Sequence, residues 1–370
     1  MIKHHCHAVP RRIGLPPRAR SLTVLAAFGF AALGACGGDP DADEITDTLA
    51  EQPAAVPEPP ARSLPERPGV PGVPGGPTPN GLSIPEDLRD WQVIGVADRT
   101  NSGGTLRVLI GNDKAVIAAR YGQTHPWPDG SMISHLVWTS SEDPVANTVT
   151  PGDFSALTLM VKNSAAYVAD GGWAYGTWSG PELVPPTAAD FDRACVDCHT
   201  ENVKDDDYVF TRPGRLPTDS AIAEASSMPR GLLLPADFRE WGVIGAASRG
   251  DDQTVRVTVG NSVALDAVRA GKTNPWPDRS MLADYVWAAT DNPKAPDTVT
   301  PGAFISLNLM QRRGASYPDD GGWVYGIWWG TQLAAPTDPQ FDRTCVGCHT
   351  GRVATQDYVF TQPGPLPLTF

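Results

Sequence analysis

Trp91-Gln92-Val93-Ile94-Gly95 returns about 150 residues later as Trp241-Gly242-Val243-Ile244-Gly245, and the surrounding sequence returns with it. Gly81-Leu82-Ser83-Ile84-Pro85 precedes the first stretch, and Gly231-Leu232-Leu233-Leu234-Pro235 precedes the second. Downstream, Pro126-Trp127-Pro128-Asp129 matches Pro275-Trp276-Pro277-Asp278, and Thr148-Val149-Thr150-Pro151-Gly152 matches Thr298-Val299-Thr300-Pro301-Gly302. Gly171-Gly172-Trp173 matches Gly321-Gly322-Trp323. A period of this size is that of a domain and not of a solenoid unit, so the chain reads as a tandem duplication. The copies span 81–218 and 231–370, and a Ser-rich segment, 219–230, joins them.

Within each copy, β-branched and aromatic runs between Gly, Pro and Asn punctuation predict strands; in the first they cover 88–97, 105–110, 132–138, 154–161 and 173–178. Asn112 is a good N-cap for a helix that runs to Arg120, and a second helix is expected from Thr187 to Cys198. The expected fold class is α+β, mainly antiparallel β, in two tandem domains, each with a C-terminal helix packed on its sheet. Each copy holds five matched tryptophans, among them Trp127, Trp138, Trp173 and Trp178 with Trp276, Trp287, Trp323 and Trp328. Such rings suit either an ordinary sheet core or the enclosure of a large flat ligand.

The N-terminus has a different character. Arg11, Arg12, Arg18 and Arg20 precede an apolar run from Leu22 to Leu33, too short for an ordinary membrane span, which reads as a signal peptide over 1–35. Leu33-Gly34-Ala35-Cys36 ends the run as a bacterial lipobox would, making Cys36 the expected site of lipidation and the membrane surface an expected partner. His4, His5, Cys6 and His7 resemble metal ligands but lie in the segment expected to be removed. Residues 36–80, rich in Pro, Gly and acidic side chains, read as an extended tether. The formal charge of −13 becomes about −18 once the five Lys and Arg of the first 35 residues are gone. So acidic a protein is repelled by phosphate backbones, which argues against nucleic acid as a partner.

Six cysteines are present. Cys6 leaves with the signal, Cys36 takes lipid, and the other four stand in Cys195-Val196-Asp197-Cys198-His199 and Cys345-Val346-Gly347-Cys348-His349. Two thiols one helical turn apart reach the two vinyl groups of one haem, and the following imidazole falls under the iron. The expectation is two covalent haem c groups, held by Cys195, Cys198, Cys345 and Cys348, with His199 and His349 as proximal ligands. A zinc or redox Cys-x-x-Cys needs further ligands, and the second copy has no histidine besides His349. Asp205-Asp206-Asp207, just downstream, is most simply a solvated turn. Sixth-ligand candidates common to both copies are Met132 with Met281 and Met160 with Met310, and an open position is the alternative preferred.

The ordered set resembles the cytochrome P-460 family. It comprises the Pro-x-x-Phe/Leu-Arg-x-Trp opening, the Pro-Trp-Pro-Asp turn, the Gly-Gly-Trp-x-Tyr strand, and Cys-x-x-Cys-His followed by Asp207-Tyr208-Val209-Phe210-Thr211 or Asp357-Tyr358-Val359-Phe360-Thr361. The resemblance covers 82–217 and 232–367, and it implies mainly-β domains with five-coordinate c-type haem, as in the related cytochromes c′-beta. In cytochromes P-460 a lysine cross-linked to the porphyrin accompanies hydroxylamine oxidation, six residues after the aspartate of the turn. Here those positions are His135 and Asp284, and neither copy has the lysine. Arg107 and Arg256 stand at matched strand positions, where a cation facing the distal pocket would stabilise a bound anion or developing charge; a solvent-facing arginine is the alternative. Two functions fit this reading. One is an exported dihaem cytochrome for electron transfer, with an envelope redox partner, or for binding a small ligand such as nitric oxide. The other is a haem enzyme that oxidises hydroxylamine or reduces peroxide or nitrogen oxides, with Arg107, Arg256 or His135 assisting.

Overall fold

The computed structural model describes residues 74–99, 104–143, 147–210, 212–228, 231–317 and 320–367. The expected signal segment, Cys36 and most of the expected tether lie outside the described residues. The first copy contains strands β1 (Gln92–Arg99), β2 (Thr105–Gly111), β3 (Met132–Asp143), β4 (Thr148–Lys162) and β5 (Trp173–Ser179), with helices α1 (Asp113–Tyr121) and α2 (Arg193–Val203). Helix α3 (Asp219–Ala223) follows. The second copy repeats the order as β6 (Gly242–Arg249), β7 (Thr254–Gly260), α4 (Ser262–Arg269), β8 (Met281–Asp291), β9 (Thr298–Arg312), β10 (Trp323–Trp329) and α5 (Asp342–Val353).

Each copy is an antiparallel meander in chain order. The two meanders are also hydrogen-bonded to each other: Asp98 and Arg99 of β1 pair with Val299 and Thr298 of β9, and Thr148 and Val149 of β4 pair with Arg249 and Ser248 of β6. Strand β5 pairs with β4 and β10 with β9, outside that closed circuit. Joining the strands end to end removes edges that would otherwise stay open to other chains.

Alternation along the strands explains the layering. Leu106, Val108, Leu136 and Trp138 point to one face and meet Val255, Val257, Tyr285 and Trp287 of the other copy in a single hydrophobic core. The opposite, outer faces carry separate clusters. Ile94, Leu109, Ile133, Met160 and Tyr175 pack there with Val116 of α1 and Val196 of α2, and Ile244, Leu282 and Tyr325 do the equivalent beside α4. Of the five tryptophan pairs, Trp91/Trp241, Trp138/Trp287 and Trp178/Trp328 fill the shared core. Only Trp127/Trp276 and Trp173/Trp323 lie in the outer clusters.

The shared core is fastened by exchanged tails. Trp138 Nε1 donates to Pro365 O at 2.7 Å, and Trp287 Nε1 donates to Arg215 O at 2.9 Å. Each tryptophan of one copy thus holds the segment that follows the Val-Phe-Thr motif of the other. The segment joining the copies holds α3, and Met228 within it is buried in the shared core. Residues 74–80, at the end of the tether, are also bound to the body: Trp178 Nε1 donates to Gly76 O at 2.8 Å, and Thr78 is buried.

Helix α1 starts where its cap predicts. Asn112 Oδ1 accepts from Ala115 N at 3.0 Å and from Met132 N at 3.1 Å, so one side chain caps the helix and fixes the start of β3. The second helix does not begin at Thr187. Pro185 and Pro186 hold the preceding chain extended, Ala188–Asp192 turns, and the helix opens at Arg193. It therefore runs five residues beyond Cys198, to Val203.

Candidate functional site

Cys195, Cys198 and His199 lie on α2 at i, i+3 and i+4, a spacing that puts all three on one side of the helix. Cys345, Cys348 and His349 repeat this on α5. All four thiols are free. Burial raises the Cys195 thiol above its ordinary range and pushes that of Cys345 up to about 11. Among the described residues, no three or more His, Cys, Asp or Glu side chains converge in a way that could hold a single metal ion.

Each imidazole is oriented from below. His199 Nδ1 lies 2.6 Å from Tyr208 O, and His349 Nδ1 lies 2.6 Å from Tyr358 O. Two rings flank each one: Tyr175 at 4.7 Å and Phe210 at 4.8 Å from His199, with Tyr325 and Phe360 at the same distances from His349. Burial, which favours the neutral ring, lowers both imidazole pKa values against the opposing effect of the carbonyl bond. With Nδ1 committed to a carbonyl, Nε2 is the nitrogen available to a metal, and its tautomer is set as a metal-bound histidine requires.

The carbonyl that performs this orientation is itself held by a buried ion pair. Helix α2 runs into a short 3₁₀ turn, after which Asp207 and Tyr208 both adopt left-handed backbone angles, φ 50° and 62°. Asp207 is not a solvated turn residue: its Oδ2 accepts from Trp127 N at 2.7 Å and its Oδ1 sits 2.6 Å from Lys162 Nζ. The Lys162 and Asp207 side chains are 4% and 11% exposed. In the second copy Arg312 takes the lysine's place on Asp357, whose Oδ2 accepts from Trp276 N. Tyr208 then lies flat on Gly171, where an added Cβ would come within 2.1 Å of the tyrosine ring. Gly321 bears the same relation to Tyr358, at 2.2 Å. The Gly-Gly-Trp and Asp-Tyr-Val-Phe motifs are therefore two halves of one contact.

On the sheet side, a cleft in the second copy is lined by Arg256, Asp284, Asn308, Met310, Tyr325, Cys345 and His349. Arg256 and Asp284 come from β7 and β8, Asn308 and Met310 from β9, and the register places Asp284 opposite both Thr258 and Asn308. In the first copy the equivalent rows are Leu109, His135 and Thr158. His135 lies close enough to Arg107, His199 and Arg99 to feel all three; burial, reinforced by the two arginines and His199, pushes it down to about 3. Arg107 and Arg256 are on the outer faces with the imidazoles. Met160 and Met310 share those faces, whereas Met132 and Met281 pack toward the shared core. The hydroxyls of Tyr175 and Tyr325 are buried and find no hydrogen-bond partner among the described residues. An orphaned buried donor beside an imidazole and a thiol fits a site shaped to take a prosthetic group. Asp207 and Gly171 lie within the matched motifs, but Lys162 escapes motif reading; the matched charge at 162/312 is the signal that points to it.

A family model, Cytochrome P460, matches residues 85–211 and 235–361, more than half of the chain. No curated protein matches it.

Proposed function

Since the chain belongs to the cytochrome P460 family, we propose that it is an exported dihaem protein in which each copy attaches one haem c. Cys195 and Cys198 hold the first and Cys345 and Cys348 the second, with His199 and His349 as proximal ligands. The observation that carries this reading is the imidazole geometry, repeated in both copies: Nδ1 tied to a backbone carbonyl and the ring flanked by Tyr and Phe. A c-type haem supplies one-electron chemistry and, with its sixth position open, a place for a small ligand such as nitric oxide.

The chain's own residues set the conditions. Asp207 and Asp357 fix the turn that presents the carbonyl, and the carbonyl fixes the ring. His135 and Asp284 occupy the positions of the family's cross-linking lysine, so electron transfer or ligand binding is favoured over hydroxylamine oxidation. An imidazole held near 3 is also a weak base at neutral pH, which makes His135 a poor general base for the enzymatic alternative. The Arg-rich start, the apolar run and Cys36 support export and lipid anchoring at the membrane surface, and among the described residues no helix is long and apolar enough to cross a membrane. The acidic surface suits a basic envelope redox partner.

The test is a pyridine haemochrome count with ferric and ferrous spectra, with and without nitric oxide. Two haems per chain with high-spin bands that shift on ligand addition are expected. Fewer than two would overturn the attachment, and low-spin bands with no response to nitric oxide would overturn the open position. His199→Ala and His349→Ala should each alter half of the spectrum.

A further inference from the structure

The duplication provides an internal comparison. Both copies keep two arginines around the centre of the outer sheet face: Arg99 and Arg107 act on His135, and Arg249 and Arg256 act on Asp284. The acids near them are not kept. In the second copy the turn between β6 and β7 carries Asp251 and Asp252. Arg249 Nη2 lies 2.6 Å from Asp251 Oδ2, and Arg256 Nη2 lies 2.5 Å from Asp252 Oδ2. Asp284 adds a third carboxyl at the centre of the face, bonded by Thr258.

The first copy has none of the three. Its connecting residues 100–104 read Thr-Asn-Ser-Gly-Gly, His135 replaces Asp284, and Leu109 replaces Thr258. Among the described residues no carboxylate acts on Arg107 or His135: burial and Arg99 bring the Arg107 guanidinium down to about 10, and the imidazole is lowered by burial, Arg107, His199 and Arg99. Arg99 Nε is buried and finds no acceptor among the described residues. A guanidinium with no carboxylate partner among the described residues, beside a second whose buried Nε is orphaned, makes a site that gains by taking an anion.

We infer that the two copies divide ligands by charge: the first takes a small inorganic anion on its sheet side, and the second rejects it. The inference rests on the haem reading above. Nitrite and azide are of the right class, small monovalent anions able to ligate ferric iron while accepting from a guanidinium.

Azide titration of the ferric holoprotein, followed by absorption, should resolve two phases whose midpoints differ by about tenfold or more. Arg107→Gln should weaken the tight phase by about tenfold, and Arg256→Gln should leave it in place. Asp252→Asn, which frees Arg256, should strengthen the weak phase. Imidazole, a neutral ligand, should not show the same split. A single azide phase for both haems, a tight phase that follows Arg256 instead of Arg107, or an identical split with imidazole would overturn the inference. Haem content measured on each variant separates the two levels, because fewer than two haems in the unmutated chain would overturn the underlying reading as well.

Discussion

Asp207→Asn removes the charge from one member of a buried pair while keeping an oxygen for Trp127 N. It strands Lys162, whose side chain is only 4% exposed. Breaking a buried pair by removing one partner costs about 3–5 kcal/mol, because the remaining charge is left without compensation. Here the stranded ammonium keeps two of its three partners, Gly171 O at 3.2 Å and the face of Trp173 at 5.0 Å. The expected cost is therefore at the low end, about 3 kcal/mol. The double variant Lys162→Met with Asp207→Asn leaves no buried charge and should recover most of that loss, to within about 1–2 kcal/mol of the parent. Urea denaturation followed by tryptophan fluorescence on the parent, both single variants and the double variant gives the cycle. A loss below about 1 kcal/mol for Asp207→Asn, the value of an exposed pair, would refute the assignment of a buried clamp.

Other outcomes follow from the same geometry. Gly171 and Gly122 have nearly the same backbone angle, φ 68° and 70°, but only Gly171 has a ring in the way of a Cβ. Gly122→Ala should cost about 1 kcal/mol and Gly171→Ala about 2 kcal/mol more, read from thermal melts; equal costs would mean that Tyr208 is not tightly seated. His135 is held at about 3 by burial and by Arg107, while an unfolded imidazole titrates at 6.5. Its stabilising contribution is therefore complete above pH 6.5 and is lost as the pH falls toward 3, so His135→Leu should flatten the decline of the urea midpoint across that window. A fragment of residues 74–218 would expose the face bearing Leu106, Val108 and Trp138. It should pair with a second copy of itself in light scattering, and a stable monomer would count against a core that needs both copies.

The local chemistry was readable from the sequence because each signal is self-contained. Asn112 caps α1 through its own side chain, and the cysteines and histidine of each motif share a helix face by spacing alone. The helix start at Arg193 was misread because the apolar and small residues after Pro186 look helical while the chain is still turning. The common core was hidden for a different reason. A strand such as Leu106-Arg107-Val108-Leu109-Ile110 shows that both faces are covered, but not that a second copy covers one of them. The repeat marks Lys162 and Asp207 as matched charges, but their pairing could not be read because they are 45 residues apart and ordinary in type. What fixes the His199 and His349 rings is a backbone carbonyl, and no side-chain motif records that.

The exchange of tails has a bearing on biosynthesis. Trp138 belongs to the first half of the protein, yet its indole nitrogen is answered by a carbonyl 227 residues further along the chain. A ribosome that has completed the first copy has not yet made the residues that close over it. The early half must wait with its apolar face uncovered until the late half emerges, whereas Trp287 meets Arg215 as soon as it is synthesised. Clipping the segment around Pro365 would consequently injure the half of the molecule most distant from the cut in sequence.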